Sequence, residues 1–232
     1  MIARVLEVEV MDTAEEASDY DAMDHAEVNA RFCADLLAVG VPTATDRPRR
    51  VLDVGTGTAR IPIELCTRAA DVEVLGIDLA DHMLAVAREN VARARLAGRV
   101  RLERVDAKAL PFADGAFDAV VSNSIVHHIP EPAPALAEMW RVTARGGLLF
   151  VRDLLRPESD AEVERLVAHH AGAPAPGMSE ASFARQRAML DASLRAALTV
   201  DEVAAMVAPL GVPREAVRVT SDRHWTLSWP KR

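Results

Sequence analysis

Three short clusters have the residue types and spacing to do chemistry. The first is Asp53-Val54-Gly55-Thr56-Gly57, at the end of the apolar run 50–54 (RVLDV). Glycines there let the backbone turn sharply and let a ligand approach closely, because no Cβ intrudes. They also leave the amides of a following helix pointing at the ligand, which favours a carboxylate or a phosphate. The second is Asp78, in Gly76-Ile77-Asp78-Leu79, where a carboxylate at a strand end can accept from both hydroxyls of a ribose. The third is Asn123-Ser124-Ile125-Val126-His127-His128, with an amide, a hydroxyl and two imidazoles in one run. An imidazole there is a candidate general base.

These groups need a scaffold that brings strand ends together, and residues 50–152 have its pattern. Apolar runs at 50–54, 72–77 (VEVLGI), 117–122 (FDAVVS) and 146–151 (GGLLFV), with the alternating 100–105 (VRLERV), read as strands. Helical spacing lies between them at 59–70, 81–96 and 132–143, the last with Leu136, Met139 and Trp140 as its apolar positions. Five strands joined by helices or long connections imply a parallel sheet covered on both faces. Such sheets bind ligands at the carboxyl ends of their strands.

The flanks are also readable. Asp24 with Glu27 reads as a capping box, and Val28, Phe32 and Leu36 follow at four-residue spacing, which predicts an amphipathic helix over 24–39. Ahead of it Leu6, Val8 and Val10 alternate with Glu7 and Glu9: a short edge strand, a frayed terminus or an arm that pairs with another subunit. Residues 153–210 are helical, interrupted by a loop at 171–177 (AGAPAPG). Thr199 with Glu202 starts a helix through Leu210 that Gly211 ends. Segments 217–221 and 225–229, turned at Asp222-Arg223, read as an antiparallel pair. The expected fold is α/β, Rossmann-like and doubly wound, a seven-stranded mixed sheet with an antiparallel last strand.

The spacing of the glycines separates two adenosine cofactors. A dinucleotide fingerprint, G-x-G-x-x-G, needs its third glycine at position 60, where Arg60 stands. Instead VLDVGTGTARI, residues 51–61, resembles motif I of class I S-adenosylmethionine-dependent methyltransferases, D/E-x-G-x-G-x-G, with Ala59 in place of the last glycine. FDAVVSNSIVHHIP, residues 117–130, resembles the strand-four segment of the ubiquinone/menaquinone-type small-molecule methyltransferases. It lacks the prolines and the aromatic of the N/D-P-P-Y/F motif that amino-methyltransferases of nucleic acid and protein glutamine carry there. Motif I, Asp78, Asp106-Ala107, the strand-four run and the Gly146-Gly147 turn occur in that group's order and spacing, over less than half of the chain.

The resemblance implies S-adenosyl-L-methionine as the cofactor. It also implies in-line methyl transfer to a small molecule, catalysed mainly by positioning. By the same resemblance, Asp53, Gly55, Thr56 and Gly57 form the cofactor turn, and Asp78 with Leu79 holds the ribose. Met83 packs on the adenine or simply in the core. Asp106 and Ala107 meet the adenine edge, unless Asp106 is a solvated loop acid. Asn123 and Ser124 stand at the cofactor–substrate junction. Tyr20, in a loop with Asp21, Met23 and His25, is a lid contact or an ordinary packing aromatic. His127 and His128 are the candidate bases, although a structural histidine fits the same position. His128, Arg152 and Asp153 are candidate acceptor contacts, with a mutual surface pair the alternative for the last two. The segments expected are an arm and lid helix (1–45), the cofactor core (46–152), a helical substrate-side insertion (153–198), and a helix and strand pair completing the sheet (199–232).

Composition narrows the remaining choices. The net charge is −8 and the positive charges are spread along the chain, which disfavours a nucleic-acid partner. Cys33 and Cys66 read as small core hydrophobes, and His169 with His170 has no carboxylate or cysteine at metal spacing, so no metal is expected. Trp225 and Trp229 share a strand face and read as core. No apolar run approaches the roughly 18 residues of a membrane span, and the first residues lack a signal-peptide block. A cytoplasmic monomer or homodimer without a membrane partner is expected. The competing readings are an NAD(P)-dependent oxidoreductase, weakened by Arg60 and by the lack of a Tyr-x-x-x-Lys pair, and a non-catalytic cofactor-binding subunit.

Overall fold

The apolar runs of the core lie side by side as β1 (Arg49–Val54), β2 (Val72–Asp78), β3 (Val100–Arg104), β4 (Phe117–Asn123) and β5 (Thr143–Leu154). A computed structural model describes residues 2–10, 12–23, 25–42, 47–174 and 178–232. β6 (Val217–Val219) and β7 (His224–Pro230) extend the sheet to seven strands in the order β3-β2-β1-β4-β5-β7-β6. β1 to β5 pair in parallel, and β7 is antiparallel to both β5 and β6. This is the mixed, doubly wound Rossmann-like sheet that the residue pattern predicts. Strand order reverses between β1 and β4, and such a switch point opens a crevice at the strand ends.

Alternate residues of each strand feed two cores. Leu52, Val54, Ile77, Val120 and Leu149 pack with α5 (Ala133–Val142) and α8 (Val200–Val207) on one face. Val51, Val74, Val121 and Phe150 pack with α2 (Ala26–Val39), α3 (Arg60–Arg68) and α4 (Asp81–Arg93) on the other. Cys33 and Cys66 sit in this second core as free thiols, and burial pushes the Cys33 thiol up to about 12. Two further helices, α6 (Asp160–His170) and α7 (Glu180–Ala196), bury Val163, Leu166 and Leu194 against Leu154. No described helix is long and apolar enough to cross a membrane.

Several local expectations change. Tyr20 and Asp21 belong not to a loop but to a helix, α1 (Ala14–Asp21), started by a Thr13–Glu16 capping box. Only Ala17 of that helix is buried, so no apolar period advertises it. α2 begins at Ala26 with His25 as its N-cap and no side-chain cap bond; Asp24, of the expected capping box, lies outside the described residues. Residues 2–10 form no strand; one backbone bond, Val5 N–H to the Arg195 carbonyl, replaces a ladder. The Thr199–Glu202 box is present, but α8 stops at Val207 and a 3-10 turn, Ala208–Leu210, completes the segment. Of the loop at 171–177, residues 175–177 lie outside the described residues.

Candidate active site

The site is built where β1 and β2 end. Gly55 turns the chain with φ +73°, and its N–H and that of Thr56 donate to the Ile77 carbonyl at 2.8 and 2.9 Å. Gly57 N–H donates to Asp78 Oδ2 at 2.8 Å, and Ala80 N–H to Oδ1 at 3.0 Å. The acid of β2 is thereby tied to the turn after β1. Ala59, where motif I has its last glycine, takes a left-handed conformation (φ 62°) at the start of α3. A residue with a Cβ holds that conformation at a cost of about 1 kcal/mol.

A cleft open to solvent runs across these strand ends. It brings together Tyr20, Gly55, Gly57, Asp78, Leu79, Met83, Asp106, Ala107, Asn123, Ser124 and His128. Asp53 and Thr56 line an adjoining hollow that shares Tyr20, Gly55 and Asn123 with the cleft. Sequence reasoning missed Glu9, Val10, Lys108, Ile125 and Ile129, which also line the cleft. Ile125 adjoins the strand-four run and could have been read from it; Glu9 and Val10 carry no local signal, because only the path of the arm brings them here. Tyr20 reaches over the glycine turn: its Cε1 lies 3.7 Å from the position a Cβ would take on Gly57. Burial pushes its hydroxyl up to about 12, with Asp78 and Asp53 adding to the effect. Arg60 anchors α1 through two bonds to Asp21, at 3.0 and 2.8 Å.

The electrostatics ask for a ligand with positive charge or hydrogen-bond donors. Asp53 is 2% exposed, and burial pushes its carboxyl up to about 7, with the 2.7 Å bond from Thr56 opposing and Asp78 adding. Burial raises Asp78 as well, against the backbone bonds from Ala80 and Gly57. Asn123 Oδ1 is buried without a hydrogen-bond partner, a costly condition that a donor would relieve. Ser124 holds φ 59° at the cleft wall, a backbone strain typical of functional positions.

The raised Asp53 value has a measurable sign. Folding favours its protonated form, so this contribution to stability is full below about pH 4 and is lost as pH rises through about 7. Between pH 5 and pH 8 the wild type should lose about 2–3 kcal/mol relative to Asp53→Asn in urea unfolding. Parallel stability–pH curves for the two proteins would overturn this account.

Three candidate residues do not line the cleft or the hollow. His127 is 3% exposed, and its Nδ1 lies 2.5 Å from Asp153 Oδ1. Burial opposes charge on both groups, yet their mutual attraction prevails: His127 is raised and Asp153 lowered. Arg152 turns to the opposite face of β5, where it donates to Thr226 Oγ1 at 2.9 Å and to Asp35 at 2.7 Å, with Phe32 and Phe150 beside it. The alternative of a mutual surface pair of Arg152 with Asp153 is therefore corrected: neighbours along a strand point apart, and both side chains are buried. His128 does reach the cleft, and its Nδ1 lies 3.1 Å from Glu7 Oε1. Glu7, His127 and His128 bring one ligand-type atom each within 4.8 Å of one another, as do His169, His170 and Asp222. Neither group follows from sequence spacing, because each carboxylate comes from a distant segment.

Comparison with known proteins agrees with this geometry. Residues 52–151 match the methyltransferase domain family. A demethylmenaquinone methyltransferase of Deinococcus radiodurans is 42% identical over 112 residues, 48% of this chain and 46% of the relative. A ubiquinone/menaquinone biosynthesis C-methyltransferase of Geobacter sulfurreducens is 33% identical over 111 residues, 47% of this chain and 43% of the relative. The matched region thus spans about half the length of these curated relatives. Among solved structures, a methyltransferase from Aquifex aeolicus superposes with a TM-score of 0.63 at 19% identity, covering 93% of this chain and 97% of its own. A phosphoethanolamine N-methyltransferase of Haemonchus contortus, solved with S-adenosyl-L-methionine, gives 0.61 at 19% identity, over 86% of this chain and 41% of its own. The match to the methyltransferase domain family thus takes in less than half of the chain, and the solved structures share its fold.

Proposed function

We propose that the chain transfers a methyl group from S-adenosylmethionine to a small-molecule acceptor. The observation that carries this is the meeting, in one cleft, of the glycine turn, Asp78, the Asp106-Ala107 pair and Asn123. The buried carboxyls and the unpartnered Asn123 Oδ1 fit a cationic, donor-rich cofactor. Asp78 would hold the ribose hydroxyls, Met83 and the Asp106-Ala107 pair the adenine, and Asp53, Gly55, Thr56, Gly57 and Asn123 the amino-acid end. When bound, the cofactor supplies an electrophilic methyl carbon. The protein's part is to align the acceptor with it and to exclude water, and α1, with Tyr20, covers that space.

The acceptor side is bounded by His128 and, in this reading, by the insertion at 153–198. α7 is tied to the lid through Asp19, which accepts from Ser182 and Arg185. Relatives named for demethylmenaquinone make quinols the first acceptors to screen. The net charge of −8 supports a small molecule over nucleic acid. A cytoplasmic monomer or homodimer is the accompanying reading. The oxidoreductase and non-catalytic readings draw no support from the family match.

Calorimetric titration with S-adenosylhomocysteine, with NAD in parallel, tests this. Binding of the first alone, with a Kd of about 1 μM or about −8 kcal/mol, is expected. Binding of NAD, or of neither, would sink it.

A further inference from the structure

We propose that Glu7, on the N-terminal arm, is the positioning residue that makes His128 the proton acceptor of the cleft, and that the methyl acceptor is therefore a protic group, a hydroxyl or an acidic C–H. The proposal rests on the methyl-transfer reading of the same cleft.

The arm is fastened at both ends. Arg4 donates to the carbonyls of Ala196 (2.7 Å), Pro130 (3.0 Å), His127 (3.0 Å) and Ile129 (2.9 Å). Val5 N–H donates to the Arg195 carbonyl at 3.0 Å, and Glu9 pairs with Lys108 on the far side of the cleft. Between these anchors Glu7 is carried inward. Its Oε1 lies 3.1 Å from His128 Nδ1 and 3.6 Å from His127 Nε2. The two atoms meet at ion-pair distance without the alignment of a hydrogen bond, and neither has a hydrogen-bond partner among the described residues.

Behind this pair His127 is fixed by Asp153, and the two imidazole rings pack tilted at 36° with centroids 4.1 Å apart. The groups facing His128 are therefore Glu7 and His127 in contact, with Asp78 and Asp153 beyond. A carboxylate beside Nδ1 selects the tautomer that carries its proton there. Nε2 is then the unprotonated nitrogen of a residue that lines the cleft. An acceptor X–H can give its proton to Nε2 while the X–CH3 bond forms. The C–S bond breaks, and its electron pair stays on sulfur as a neutral thioether. An acceptor without a removable proton would have no use for this arrangement.

The test reads the imidazole directly and needs no acceptor. In 15N-histidine-labelled protein at a pH where His128 is neutral, long-range 1H–15N spectra, assigned with His128→Gln, report its tautomer. In the wild type the Nδ1–H form should exceed the other by roughly tenfold, given the Glu7 carboxylate 3.1 Å from Nδ1. Glu7→Gln and the undocking variant Arg4→Ala should bring the two forms near parity, while Glu7→Asp should keep the wild-type preference. S-adenosylhomocysteine affinity should stay within about threefold in Glu7→Gln and Glu7→Asp, because Glu7 is not among the groups proposed to hold the cofactor. An unchanged tautomer in folded Glu7→Gln would overturn the proposal. So would His128 signals that shift on adding EDTA, which would assign Glu7, His127 and His128 to a bound cation. Failure of every protein to bind S-adenosylhomocysteine would instead sink the methyl-transfer reading, separately from the tautomer result.

Discussion

Asp78→Ala should weaken S-adenosylhomocysteine binding about a hundredfold, the equivalent of about 2.7 kcal/mol. A ribose presents two hydroxyl donors, and hydrogen bonds to a charged acceptor are worth about 1.5–3 kcal/mol each. The carboxylate is already aligned, with Gly57 N–H on Oδ2 and Ala80 N–H on Oδ1, so binding need not reorganise it. Removing it also leaves Gly57 N–H without its partner, while Gly55 and Thr56 stay bonded to the Ile77 carbonyl. Stability should change less than affinity, because the variant loses a buried carboxyl that folding must desolvate. Asp78→Asn keeps the shape and one accepting oxygen, and a loss of about tenfold is expected. Calorimetry distinguishes these outcomes; an affinity within about threefold of wild type in Asp78→Ala would remove Asp78 from the ribose site.

Gly55→Ala carries the second large effect, on fold and binding together. The added Cβ would lie 2.2 Å from Ile125 Cδ1, 2.7 Å from its Cβ and 2.9 Å from its Cγ1. No rotamer of Ile125 clears a clash with its own Cβ, so backbone must move. The φ of +73° adds strain for any residue with a side chain. Together these should cost about 3 kcal/mol and lower the Tm by about 6–12 °C in a chain of this size. S-adenosylhomocysteine binding should be lost with the turn. Gly57→Ala is the internal comparison, since its new Cβ meets nothing closer than Tyr20 Cε1 at 3.7 Å, and a cost of about 1 kcal/mol is expected. Equal effects at the two glycines would show that Ile125 yields, and that the close packing at Gly55 is dispensable.

The chain by itself determined the scaffold and the cofactor side of the site. β1, β2 and β4 announce themselves because strands buried on both faces must be apolar throughout. Asp53, Gly55 and Asp78 come directly with them, since a ligand in such a sheet meets the residues at the strand ends. These are local relations, each confined to one short stretch of chain. α1 left no such trace, because a helix that buries only Ala17 has no apolar stripe to display. The acceptor side was decided only by tertiary structure. Arg152 and Asp153 are neighbours in sequence, yet the pleat of β5 sends one to Asp35 and Thr226 and the other to His127. Glu7 meets His128 only because Arg4 finds four carbonyls across 123 to 192 residues of chain. Periodicity encodes which face of an element is buried, whereas pairings between distant segments depend on how those faces dock, and no local pattern records that.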